Sequence, residues 1–166
     1  MSSDLSFSLS RRAALLGLLG AAGCGFTPVY GPSGQAAALQ GQIDFETAGG
    51  PFNYRLREQF ERRLGRADSP RFILKAKVDL GSIPVAIAAD NTATRFNLPA
   101  SAQYQLVGPD GSILTQGTVE TFTSYSATGS SVANRTAKQA AEDRLAVMVA
   151  DLIIARLLAE TETLAL

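Results

Sequence analysis

Cys24 is the only cysteine in a chain of 166 residues that contains no histidine and no tryptophan. It directly follows Ala21, Ala22 and Gly23, whose small side chains can pass through the narrow site of a signal peptidase. A cysteine thiol at such a position can accept a diacylglycerol group. The chemistry predicted at Cys24 is therefore covalent lipid attachment.

The residues before Cys24 have the layout of a signal peptide. The pair Arg11-Arg12 precedes an uncharged run over residues 13–23. That run is too short to span a bilayer, because a spanning helix needs about 20 apolar residues. The segment resembles a bacterial lipobox leader, which predicts removal of residues 1–23 and a diacylglycerol plus an N-acyl chain on Cys24. An ordinary signal peptide with an incidental buried cysteine is the alternative, and the twin arginines leave the export route open.

The composition argues against several classes of protein. Fifteen basic and fifteen acidic residues balance each other, so no basic bias points to a nucleic-acid partner. The usual imidazole bases and free thiol nucleophiles are missing, and no glycine-rich phosphate loop or nucleophile elbow is present. We therefore expect a protein that is not an enzyme and that needs no cofactor besides its covalent lipid. With one cysteine no internal disulfide can form, so stability must come from packing.

A few cations have a spacing that could bind an anion. Lys75 and Lys77 share one face of a predicted strand with Arg71, which places them roughly 7 Å apart. Such a row could contact the phosphates of an anionic lipid, or it could simply deter edge pairing. Arg95 lies beside Phe96 in a predicted hairpin and could offer a guanidinium fork next to an apolar ring.

The elements that position these residues follow from hydrophobic periodicity. Residues 42–46 alternate as a short strand, Asn53 caps a helix that Gly65 ends, and residues 71–89 form a half-buried strand that bends at 81–84. A hairpin then joins strands at 101–107 and 113–125 through the turn at 108–112.

The last predicted element is a long helix over residues 132–160, which contains neither glycine nor proline. We predict a stripe on this helix that includes Ala141, Leu145, Met148 and Leu152. Its second half is apolar nearly all round, so it is either packed deeply on the sheet or also covered by another protein.

This order, β-α-β-β-β-α, predicts an α+β fold: a two-layer sandwich in which a mixed four-stranded sheet carries two helices on one face. The other face of the sheet is then free. We expect a lipidated N-terminal tether at 24–41 and a single domain at 42–162.

The segment Cys24-Gly25-Phe26-Thr27-Pro28-Val29-Tyr30 resembles the start of the LptE family of lipopolysaccharide-assembly lipoproteins. The predicted order of elements is similar to that family along nearly the whole mature chain. The resemblance implies a lipoprotein on the periplasmic side of the outer membrane that plugs the LptD β-barrel, assists its assembly and helps deliver lipopolysaccharide to the cell surface.

The same resemblance implies that basic residues near the sheet contact lipopolysaccharide, and Arg95, Lys75 and Lys77 are the candidates. Gly25 stands where an aspartate would favour retention in the inner membrane, which fits outer-membrane sorting. Two rivals remain: an auxiliary lipid-binding lipoprotein of an ABC-type transporter, and a lipid-anchored hydrolase, for which the chain offers no identifiable nucleophile and base.

Overall fold

A computed structural model of the protein describes residues 39–164, with side chains through residue 160. Cys24, the predicted leader and most of the predicted tether lie outside the described residues. Within them the chain forms five strands and two helices. In chain order these are β1 (Ile43–Thr47), α1 (Pro51–Leu64), β2 (Phe72–Leu80), β3 (Ile83–Ile87), β4 (Ala93–Val107), β5 (Ile113–Ser126) and α2 (Ser131–Leu164).

The sheet is mixed, as predicted. β1 pairs in parallel with β2, and the other pairings are antiparallel. β2 and β3 lie end to end along one side of β4, and β5 runs along its other side. The predicted α+β sandwich is confirmed. The sheet has five strands rather than four because the bent segment at 71–89 divides into β2 and β3.

The division between β2 and β3 has a local cause. The Gly81 amide still donates to the Pro99 carbonyl at 2.8 Å, so the two segments follow one path beside β4. Pro99 has no amide hydrogen, so it cannot donate a hydrogen bond back to the neighbouring strand. The ladder beside β4 is interrupted at this position. A side chain at position 81 would also clash, since an added Cβ would lie 2.9 Å from Pro99 Cγ.

Helix α1 begins two residues before the predicted start at Asn53. Pro51 occupies its first turn, where a missing amide hydrogen has no cost, and no side chain caps the helix. Asn53 instead donates to the Gly49 carbonyl at 3.1 Å. The helix ends at the predicted place, at Gly65 with φ of 77°. In α2 the first turn is capped by the Ser130 hydroxyl, which accepts from the Ala133 amide at 3.3 Å.

The core lies between the sheet and both helices. Phe45 of β1 stacks on Phe60 of α1 with ring centroids 5.4 Å apart. Leu39 is fully buried in the same core, so packing begins three residues before the predicted domain start at residue 42. The remaining buried apolar side chains of the two central strands and α2 include Leu74, Ala102, Leu106, Leu145, Val149, Ile153 and Leu157.

Most apolar residues in the second half of α2 are packed deeply in the core, as one of the two predicted alternatives required. Residues such as Leu145 and Ile153 are fully buried. The predicted stripe is wrong in part, because Met148 and Leu152 are each 40% exposed and lie outside the buried face. The pattern was ambiguous since apolar residues surround the helix, and only contact with the sheet and α1 decides which of them face inward.

Polar side chains join the two helices. Gln59 of α1 is 7% exposed and donates to Asp151 of α2 at 2.9 Å. Arg63 contacts the same carboxylate at 3.4 Å, and Arg55 contacts Asp143 at 3.5 Å. Residues further along α1 contact residues further along α2, which shows that the two helices run parallel.

Candidate functional site: the open sheet face

Neither helix covers one face of the sheet, and we call this the open face. Successive residues of a strand point to opposite faces, so the burial of Leu74 and Ala76 under the helices turns Lys75 and Lys77 outward. Strand register aligns the outward residues in rows. Three successive rows are Glu46-Lys75-Gln105-Gln116, Lys77-Gln103-Thr118 and Asp79-Ser101-Glu120.

The structure brings Lys75 and Lys77 together on the open face. Lys75 Nζ lies 3.3 Å from Glu46 Oε2, and its side chain is 48% exposed. Both lysines border a shallow depression of about 700 Å³. Amide side chains such as Gln103 and Gln105 also line it. This arrangement is a polar surface with hydrogen-bond donors and net positive charge at its centre.

Arg95 belongs to the same face but to a different region. It lies on β4 opposite Ser126 and is exposed. Gln103, which pairs with Lys77, is eight residues further along β4, a separation of about 26 Å at the usual strand rise. The three candidate cations therefore lie in two separate regions of the open face rather than in one.

The predicted pairing of Arg95 with an apolar neighbour is wrong. Phe96 points to the opposite face of β4, where it stacks on Tyr125 with ring centroids 5.3 Å apart. Adjacent residues of a strand cannot present side chains to the same ligand, because alternate side chains face opposite ways. The predicted hairpin itself is present, because a turn at residues 88–92 joins β3 to the antiparallel strand β4, which is continuous from Ala93.

The sequence pattern did not lead us to predict an exposed apolar surface near Arg95. Ile83, Val85 and Ile87 of β3 are 53%, 48% and 64% exposed, and Phe122 of β5 is 61% exposed. Ile83 and Phe122 border a second depression of about 660 Å³ on the open face. The signals available in the sequence were the alternation of Ile83, Val85 and Ile87, and the presence of Phe122 in a strand otherwise rich in threonine and serine.

The open face offers charged and hydrogen-bonding side chains that are suited to binding. No group of three or more histidine, cysteine or acidic residues within residues 39–164 could hold a metal ion. The carboxylates with lowered pKa lie in turns and ion pairs. Asp90, for example, accepts from the Thr92 amide at 3.0 Å, and this hydrogen bond lowers the pKa of Asp90. On the open face Glu46 and Lys75 form an exposed ion pair, which is typical of a solvated surface.

Two-layer domains of this kind are found among bacterial lipoproteins. The fold is similar to that of a protein assigned as a lipoprotein from Caulobacter crescentus CB15, with a TM-score of 0.66 and 24% identity, covering 80% of this chain and 98% of that one. It is also similar to the rare lipoprotein B from Shewanella oneidensis, with a TM-score of 0.57 and 12% identity over 74% and 96% of the two chains. A minor lipoprotein from Acinetobacter baumannii matches with a TM-score of 0.50 and 12% identity over 69% and 91%.

The family follows from the sequence itself. The model of the family described as "LptE: Lipopolysaccharide-assembly" matches residues 28–157, most of the chain. The chain belongs to the LptE family, a family of non-enzymatic envelope lipoproteins. No curated protein matches it in sequence.

Proposed function

We propose that this chain is an outer-membrane lipoprotein that plugs an LptD-type β-barrel, assists its assembly and takes part in delivering lipopolysaccharide to the outer leaflet. The observation that carries the proposal is the uncovered face of the sheet, with its polar region around Lys75 and Lys77, in a domain of this family. A free face of hydrogen-bonding side chains fits the wall of a hydrated barrel lumen, which would cover it.

The membrane attachment in this proposal is through lipid. No helix within the described residues is long and apolar enough to cross a bilayer. Acyl chains on Cys24 would provide the anchor, since each buried methylene contributes about 0.8 kcal/mol and two or three chains hold a protein stably. Gly25 after the lipidated cysteine supports sorting to the outer membrane, with the domain on the periplasmic side.

Lipopolysaccharide contact is proposed at Lys75 and Lys77, with Arg95 as a separate and second point. Two ammonium groups on one exposed face can bind phosphates, and the neighbouring glutamines can donate to sugar hydroxyls. Lys75 contacts Glu46, and an exposed pair of this kind is held only weakly, so a phosphate can compete for the lysine.

The partner is tested by affinity purification of the tagged, lipidated chain from its own membranes, followed by mass spectrometry. Recovery of a heat-modifiable outer-membrane barrel in about equal amount is the expected result. Recovery of inner-membrane transporter subunits would instead support an auxiliary lipoprotein of an ABC-type transporter. Recovery of no membrane protein would overturn the plug proposal.

The lipid contact is tested by charge reversal with a matched control. Lys75→Glu combined with Lys77→Glu should weaken binding of purified lipopolysaccharide by at least about tenfold, since each reversal replaces attraction by repulsion. Arg135→Glu combined with Lys138→Glu on α2 is the control, because both side chains are exposed on another element and the change in net charge is the same. Lys138, like Lys75, is 48% exposed and contacts a glutamate, at 3.6 Å. Equal loss in both variants would show that only overall charge matters.

A further inference from the structure

Strand β1 has an outer edge that is protected. It is five residues long, and the Arg57 guanidinium of α1 lies against it. Arg57 donates to the Phe45 carbonyl at 2.9 Å and contacts the Asp44 carboxylate at 3.3 Å. The position that a neighbouring strand would need is thus occupied by a side chain, which is a common protection against edge pairing.

Strand β3 also has a protected edge. It too is five residues long, and Pro84 within it has no amide hydrogen to offer. Its register with β4 shifts twice, between Pro84 and Ala86 and again between Ala86 and Ile87. Bulges of this kind bend an edge and prevent a regular new ladder.

Strand β5 has none of these protections. It is fourteen residues long, contains no proline, lysine or arginine, and pairs only with β4 among the described strands. Its ladder with β4 is regular from Arg95 to Leu106. Every second residue of such a strand directs its amide and carbonyl groups away from the sheet, so β5 offers a long row of backbone groups to another strand.

The charges near this edge indicate what kind of strand fits. Glu120 is the only charged residue of β5, and it follows Asp79 and Ser101 in the same row of the open face. Within residues 39–160 neither Asp79 nor Glu120 takes part in a salt bridge. A second copy of β5 would bring no cation to this acidic row, whereas a different strand carrying lysine or arginine would.

We infer that the outer edge of β5 is a strand-addition site for an extended segment of a partner protein, with a basic side chain placed beside Glu120. Backbone hydrogen bonds along β5 supply affinity, and the acidic row selects the register. The inference deepens the proposed function and depends on it only for the identity of the partner, an outer-membrane barrel protein. The added strand would widen the open face beyond β5.

The test uses a photo-crosslinking amino acid placed in turn at Gln116, Thr118 and Phe122 of the full lipidated chain, in its own membranes. All three positions are exposed on the open face of β5. Strand pairing predicts that the crosslinked residue of the partner moves by two when the probe moves by two. Paired probes at Asp44 and Glu46 of β1, and at Ile83 and Ile87 of β3, should show no such progression.

A charge reversal adds a second readout. Glu120→Lys should lower the crosslinking yield at Thr118 by about fivefold, the value of one exposed ion pair. Glu120→Gln should lower it less, because the amide removes attraction without adding repulsion. Asp68→Lys is the control, since it makes the same charge change at an exposed position far from β5 in sequence.

The outcomes separate this inference from the proposed function. A barrel that co-purifies without any register progression on β5 overturns the strand site and leaves the plug proposal standing. A progression on a protein that is not an outer-membrane barrel supports the strand site and contradicts the plug proposal. Crosslinks to a second copy of this chain, or equal yields in the Glu120 and Asp68 variants, overturn the inferred partner.

Discussion

At Gly117 the backbone of β5 packs directly against the buried ring of Tyr104 on the neighbouring strand β4. It lies in β5 directly opposite Tyr104, whose side chain is 3% exposed. A Cβ at position 117 would lie 2.7 Å from Tyr104 Oη and 2.9 Å from its Cζ. Burial raises the pKa of Tyr104, with a further contribution from Glu160, so the hydroxyl stays neutral in the core. The ring has little room to move.

Gly117→Ala should therefore lower the free energy of unfolding by about 1–3 kcal/mol, the usual cost of overpacking. Urea denaturation followed by circular dichroism measures the change. Gly49→Ala is the matched control, because an added Cβ at Gly49 has nothing within 4 Å. Adding Tyr104→Phe to Gly117→Ala should restore part of the loss, since the nearest atom is removed. Equal stability of the two alanine variants would contradict this account.

Asp110 in the β4–β5 turn gives a pH-dependent prediction. The Ser112 hydroxyl donates to Asp110 Oδ1 at 2.7 Å and the Ser112 amide at 3.1 Å, and these bonds lower the pKa of Asp110. A carboxyl whose pKa is lowered by folding stabilises the fold above its unfolded pKa. This stabilisation is lost as the pH falls through the lowered folded value.

Ser112→Ala should raise the pKa of Asp110, because the largest contribution comes from the hydroxyl. The reduced difference between folded and unfolded pKa makes the turn less sensitive to acid. Titration of the carboxyl carbon by NMR measures it. Thr92→Ala should raise the pKa of Asp90 less, since that pKa is lowered chiefly by a backbone amide, which the variant keeps. A larger rise at Asp90 than at Asp110 would refute the assignment.

Among the elements, the two helices share one polar contact that involves a buried side chain, the contact at Asp151. Asp151 accepts from Gln59, a buried amide, and also contacts Arg63. Asp151→Ala would leave the Gln59 amide without this acceptor, at a cost of about 1–3 kcal/mol. Thermal or urea unfolding measures the loss. Asp143→Ala removes only the exposed pair with Arg55 and should cost less than about 1 kcal/mol. A larger effect at Asp143 would disprove the role of burial.

Elements with a local signal were predictable from the sequence. The hairpin turn at 108–112 is present, with Gly111 at φ of 81°, because glycine and aspartate favour such turns through their own backbone and side-chain chemistry. The predicted strand at 101–107 is shorter than the observed strand β4. β4 begins at Ala93 and passes through Pro99, since pairing with β5 along its whole length outweighs the local preference of proline.

For the candidate site, the sequence predicted the shared face of Lys75 and Lys77, because period-two alternation within one strand is a local property. It could not predict the distance from these lysines to Arg95, which depends on register between β2 and β4. The free edge of β5 was likewise invisible, since strand order is fixed by packing of the whole chain. Which residues become neighbours in the fold therefore depends on contacts between strands that are far apart in the sequence.

At the scale of the whole molecule, the proposed lipid anchor at Cys24 would determine how the open face is placed relative to the membrane. The described domain contains no helix able to cross a bilayer, and the lipid attachment remains a proposal at Cys24. Leu39, where the described residues begin, lies beside the end of α1, and the Gly41 amide donates to the Leu64 carbonyl at 2.8 Å. The chain from Cys24 therefore joins the domain at the end of the sheet that carries the 108–112 turn, opposite the exposed apolar residues of β3.

Intact-mass spectrometry of the protein extracted from its own membranes tests the anchor directly. The expected mature chain begins at Cys24 and carries the added mass of a diacylglyceryl group and one N-acyl chain, because the thiol takes the diacylglyceryl group as a thioether and the amino group freed by cleavage is acylated. Cys24→Ala should carry neither, whereas Ser33→Ala should keep both. A wild-type chain that begins at another residue and keeps a free thiol at Cys24 would instead establish an ordinary signal peptide, and the domain would then need its protein partner to stay at the membrane.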